Sequence, residues 1–167
     1  MSTILKSWRT VCKLTDANGR TRNNTQWRPG VTNPCGRLTG VGDLCSSSFY
    51  HAYHTPELAA FLNPLGADFP NPRFWLAEIR GAVEEESGIL KLGASEMRTI
   101  RELPAIVPTP TQRVAFSIYV AGSTLAASAL AIPAWEEWAG GWLAGDRAAT
   151  MKVLNDVYTT IITGRGN

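Results

Sequence analysis

Residues 5–14 (LKSWRTVCKL) set Trp8, Val11 and Leu14 among polar neighbours, a pattern that predicts a first strand. The stretch from Asp16 to Asn18-Gly19 ends it, since Asn-Gly accepts the positive φ of a tight turn. Glycines and prolines then punctuate residues 20–43, which read as a long ordered loop with a short hairpin, pinned by Trp27. Residues 49–53 (FYHAY) predict a short strand with Phe49, His51 and Tyr53 on one face and Tyr50, Ala52 and His54 on the other. Thr55-Pro56-Glu57 opens a helix with a cap, a first-turn proline and an acid at its positive end. Leu58, Phe61 and Leu62 form its apolar stripe, and Asn63-Pro64 stops it.

Residues 73–82 alternate Phe74, Leu76 and Glu78 against Trp75, Ala77 and Ile79, a further strand. Residues 84–88 predict a charged hairpin tip, residues 89–93 a return, and residues 97–103 another strand closed by Pro104. Pro104, Pro108 and Pro110 make a stiff connector. A helix is expected over residues 112–132, broken by Pro133. A second carries Trp135, Trp138 and Trp142 on one edge and ends at Gly145, and Asp146 caps a last one over residues 147–161. The tail, residues 163–167, should be loose. The expected class is α+β. Residues 1–104 would hold a small mixed or antiparallel sheet with one short helix, a basic arm and a loop. Residues 105–167 would hold about three helices packed on it in one compact domain.

Charge changes this picture locally. The net charge is only +2, yet residues 1–40 hold seven basic side chains against the single acid Asp16. Arg20, Arg22, Arg28 and Arg37, with Trp27 as anchor, are therefore candidates for binding an acidic protein face or a nucleic-acid phosphate. A solvated arm accounts for the same charges. Six tryptophans are many for 167 residues and imply that several lie half-buried or at a contact surface.

The three cysteines (Cys12, Cys35 and Cys45), with no CxxC pair and no secretory leader, point to a reducing cytoplasm. Cys35, Cys45, His51 and His54 have spacings that match no zinc module, so no metal is expected. The uncharged run 114–135 has membrane-span length but is rich in Ala, Ser, Gly and Thr, and reads as a buried helix.

Tyr50, His51, Tyr53 and His54 form a candidate pocket. A histidine there suits acid–base work, but packing plus a hydrogen bond across the sheet is the preferred explanation. No nucleophile with an orienting carboxylate is evident from spacing, so no triad is assigned. Glu84, Glu85 and Glu86 splay apart as a solvated tip, the tryptophan edge reads as core against the sheet, and Cys45 as a small buried hydrophobe.

From residue 42 to 81, GDLCSSSFYHAYHTPELAAFLNPLGADFPNPRFWLAEIRG resembles a family of short phage and prophage proteins without assigned function. TQWRPGVT before it and IRELP and PAWEEWAGGWLAGDR after it extend the likeness over most of residues 6–147. The family carries over no catalytic residue. The chain is similar, more weakly, to the ADP-ribosyltransferase-like fold through Arg9, the Tyr53-His54-Thr55 strand end with the following Pro56-Glu57-Leu58-Ala59-Ala60, and Glu96 or Glu102. The Ser-Thr-Ser strand and paired-Glu element of that fold's active members are absent.

Two functions follow as expectations. The first is a phage- or prophage-encoded cytoplasmic binding protein without a cofactor, which modulates host machinery by occluding the surface of a host protein or ribonucleoprotein. Anti-defence action of the anti-CRISPR kind is its natural use, and no membrane is involved. The alternative implied by the second likeness is an NAD-dependent ADP-ribosyltransferase. In it Arg9 would hold the NAD phosphates, Tyr53 would stack on nicotinamide and Glu102 would stabilise the oxocarbenium-like state.

Overall fold

Every side chain from Val11 to Thr15 is buried, because the end of the first strand lies between two apolar clusters. The computed structural model describes residues 3–85, 91–128 and 131–146. The chain divides into two units, Met1–Pro108 and Thr109–Asn167, and the first holds the whole sheet. Its strands are β1 (Thr3–Thr15), β2 (Tyr50–Ala52), β3 (Arg73–Glu85) and β4 (Leu92–Leu103), in the antiparallel order β1-β3-β4-β2.

The sheet bends back on itself. Cys12 is level with Leu76 of β3 on one side and exchanges two 2.8 Å backbone hydrogen bonds with Tyr53, just past β2, on the other. The two outer strands are thereby joined, which removes part of an exposed edge. Strand periodicity then assigns the two clusters. Val11 joins Trp27, Tyr50, Ala52, Ala77, Ile79, Val83, Leu92, Ala94 and Met97 on one face. Cys12 and Leu14 join Tyr53, Phe74, Ala59 and Ala60 on the other.

The second cluster is covered by α1 (Pro56–Leu62), capped by Thr55, whose hydroxyl accepts from the Leu58 amide at 3.1 Å. Leu58, Phe61 and Leu62, the expected inward stripe, are only half-buried. Ala59 and Ala60 are the buried residues, their small side chains allowing close approach. Asn63 ends the helix as expected. Its side-chain amide then makes two 3.0 Å hydrogen bonds with the Phe69 backbone, which folds residues 63–69 back.

The two strands expected over residues 89–93 and 97–103 are one, β4, with residues 86–90 of the hairpin tip outside the described residues. The join holds because Ser95 Oγ accepts the Ala82 amide at 2.9 Å where the ladder shifts register between Arg80 and Val83. Gly81 makes that shift possible. It has φ +83, and a Cβ there would collide with Ser95 Oγ.

The expected loop with a short hairpin is present. Arg20 and Gln26 bridge, and the Trp27 amide donates to Gly19. The chain then runs along the edge of β4. Amides of Gly30, Asn33 and Leu38 donate to Thr99, Met97 and Ser95, so the loop continues the sheet where β2 stops.

In the second unit α2 (Pro110–Ala127) begins with a capping box between Thr109 and Gln112. It ends at Ser128 rather than at residue 132. Ile132 precedes a proline and is extended, at φ −127 and ψ 86. Among the described residues of α2, Ile118 is buried and Tyr119 is 74% exposed. The helix α3 (Pro133–Leu143) sets Trp135, Trp138 and buried Trp142 against Ala115 and Ile118 of α2, so within this unit the tryptophan edge packs on a helix. The helix expected over residues 147–161 and the tail lie outside the described residues. No described helix is long and apolar enough to cross a membrane. The architecture is α+β, with the antiparallel sheet and α1 in the first unit and α2 and α3 after it.

Candidate functional site

Lys13 belongs to the face of β1 that meets the first cluster, and it is 5% exposed. Its ammonium donates to the His51 carbonyl oxygen at 2.7 Å and lies 5.6 Å from the centre of the Trp27 ring, within cation–π range. Burial pulls its pKa down from 10.5 to about 8. Beside it, His51 Nε2 donates to the Leu44 carbonyl oxygen, and burial holds its pKa below the ordinary value, favouring the neutral ring. Tyr50 stands edge-on to Trp27 with ring centres 5.4 Å apart. Its hydroxyl donates to Gly36 O at 2.7 Å and accepts from the Cys35 amide at 2.9 Å, fastening the loop to β2. Desolvation raises its pKa.

These residues border a cavity of about 760 Å³ between the sheet and residues 21–49. Arg22, Cys45, Tyr53, Phe69 and Lys91 also line it. Lys91 Nζ stands 3.1 Å from Cys45 Sγ. No lining residue is an aspartate or glutamate.

The loop also carries the arginines singled out in the sequence, and all four are exposed. Arg20 donates to Gln26 Oε1 and Asn24 Oδ1, and Arg22 to Ala67 O, all uncharged acceptors. Arg37 is 69% exposed and 3.5 Å from Glu96, a carboxylate held below its usual range chiefly by Arg80 at 2.6 Å. Among the described residues no carboxylate forms an ion pair with Arg20, Arg22 or Arg28.

The structure brings Tyr50, His51 and Tyr53 to one cavity and leaves His54 off its lining. His54 Nε2 is buried without a hydrogen-bond partner. Trp27 is a correction: at 1% exposure it belongs to the core and the cavity wall, so it cannot anchor a partner's surface. Cys45 is another, being exposed, whereas Cys12 is the buried thiol. Arg9, Tyr53 and Glu102 do not converge. Arg9 is level with Ile79 and Met97 and bonds Glu85 at 2.5 Å. Glu102 is level with Trp75 and Lys13, four residues further along β1, and bonds Arg73. Lys13, one of the seven basic residues of the arm, and Lys91 were not among the site residues expected from the sequence. The signal for Lys13 was one charge inside the otherwise uncharged run VCKLT, which a half-buried strand does not require.

Compared with family models and with curated proteins, the chain matches none.

Proposed function

We propose that this chain is a phage- or prophage-encoded cytoplasmic binding protein that captures an acidic host component through the loop of residues 20–37 and acts by occluding that component's surface. Anti-defence inhibition of a host ribonucleoprotein or its protein subunits is the use that best suits such a device. The observation that carries the reading is the set of exposed arginines on one loop tied to β4 by backbone hydrogen bonds, three of them without a carboxylate partner among the described residues. Guanidinium groups on an ordered backbone lose less freedom on binding and pair well with carboxylate or phosphate. Nothing in the geometry favours the ADP-ribosyltransferase reading, because its three residues sit at separate places in the sheet.

The test compares wild-type protein with a triple variant, Arg20→Glu, Arg28→Glu and Arg37→Glu, as bait in bacterial lysate, with identification of what each retains. Loss of specific species from the variant alone is the expected result. Equal retention by a folded variant would exclude the loop as the capture surface.

A further inference from the structure

The cavity beneath the loop holds an unbalanced charge. Lys13, Arg22 and Lys91 line it, and no carboxylate does. Lys13 has three donor protons and one hydrogen-bond acceptor, the His51 carbonyl oxygen. A cation this deeply buried is costly unless something negative meets it, and the face of Trp27 supplies only part of that. The rest of the wall is rich in aromatic rings, with Trp27, Phe49, Tyr50, Tyr53 and Phe69 all present. A volume of about 760 Å³ lies within the range of small-molecule sites, roughly 300–1,000 Å³.

We infer that this cavity is a binding site for a small aromatic anion, an aryl carboxylate or an aromatic phosphate monoester, whose charged group pairs with Lys13 while its ring lies against the aromatic part of the wall. An anion there completes the hydrogen bonds of the ammonium and holds it in its charged form. Arg22 and Lys91 add positive potential that draws such a ligand in. The site shares only Arg22 with the arginine-loop reading, because Arg20, Arg28 and Arg37 do not line the cavity, so the triple variant tests the loop and Lys13→Met tests the cavity.

The test uses two fluorescent probes of similar shape, anionic 8-anilinonaphthalene-1-sulfonate and uncharged N-phenyl-1-naphthylamine, on the full chain. Saturable binding of one sulfonate probe per chain is expected. Lys13→Met should weaken it about tenfold and leave the uncharged probe within about twofold, since one charge-assisted contact is lost and the apolar wall remains. Displacement by 2-naphthoate identifies a carboxylate site, and displacement by adenosine monophosphate a phosphate site. Should Lys13→Met fail to fold, the double variant Arg22→Met and Lys91→Met, at positions that are not buried, should give the same loss for the anion alone. Equal affinity of the variants for the sulfonate probe would overturn the proposal, as would failure of both competitors to displace it.

Discussion

Lys13 of β1 donates a 2.7 Å hydrogen bond to the carbonyl oxygen of His51 on β2, one residue along from the place where Cys12 and Tyr53 join the same two strands. The closing seam of the sheet is therefore stitched by a buried ammonium as well as by backbone. Most residues could form the backbone bridge. Only a long cationic side chain reaches across and then leaves protons facing the cavity.

The burial of Lys13 should tie stability to pH. The unfolded chain keeps this proton up to about pH 10.5, whereas the folded protein releases it near 8. Between those values the unfolded state binds more protons, so stability rises with pH, and below 8 the full penalty of about 3 kcal/mol applies. Cys12 acts in the opposite sense from pH 9, because burial pushes its pKa up from 9.0 to about 12. Urea unfolding between pH 8 and 9 should accordingly show wild-type stability increasing and Lys13→Met nearly flat, with the variant the more stable at pH 7. A variant less stable at pH 7 would mean that the hydrogen bond to His51 outweighs the cost of burial.

Tyr50→Phe probes the link between the loop and the sheet. The substitution keeps the ring against Trp27 but removes the hydroxyl that accepts from the Cys35 amide and donates to Gly36 O. A cost of about 1–3 kcal/mol is expected, since two backbone groups lose their partner. Hydrogen exchange should accelerate at the Cys35 amide and leave the Ala77 and Ile79 amides of β3 protected. Uniform acceleration would show that the loop and sheet open together.

Local signals made much of the fold legible in the sequence. Alternation found β1 and β3, Asn18-Gly19 found the turn, and Thr55-Pro56 found the start of α1. The single strand β4 was obscured because its first part, Gly93-Ala94-Ser95-Glu96, looks like a turn. It is held extended by partners distant in sequence, β2 and the loop on one side and β3 on the other. The same long-range pairing hid the cavity. Tyr50, His51 and Tyr53 were recognisable as a pocket segment, but Lys13 reaches them only through the seam between β1 and β2. Trp27 was misjudged because its loop is rich in glycine and proline. The residues on either side pair with β1 neighbours and β4, and that pairing turns the ring inward.

The three thiols should separate by reactivity. Cys35 and Cys45 are exposed, whereas Cys12 is buried and its thiolate is disfavoured by desolvation. A thiol reagent at pH 8 should label two cysteines promptly and the third only at the rate of unfolding, with mass spectrometry placing the slow site at Cys12. Prompt labelling of all three would show that the seam at Cys12 opens without global unfolding.

Thr15→Val tests a polar contact sealed inside the first unit. The Trp75 indole N–H donates to Thr15 Oγ1 at 2.9 Å, and neither side chain reaches solvent. Valine has nearly the same shape as threonine, so packing survives while the indole donor loses its acceptor. The variant should be destabilised by about 1–3 kcal/mol, the cost of a buried donor left unsatisfied. Adding Trp75→Phe, which removes that donor, should recover part of the loss once the smaller ring's own packing penalty is subtracted in a double-mutant cycle. Strict additivity of the two substitutions would show that the hydrogen bond contributes nothing net, and that the pair is held by apolar contact alone.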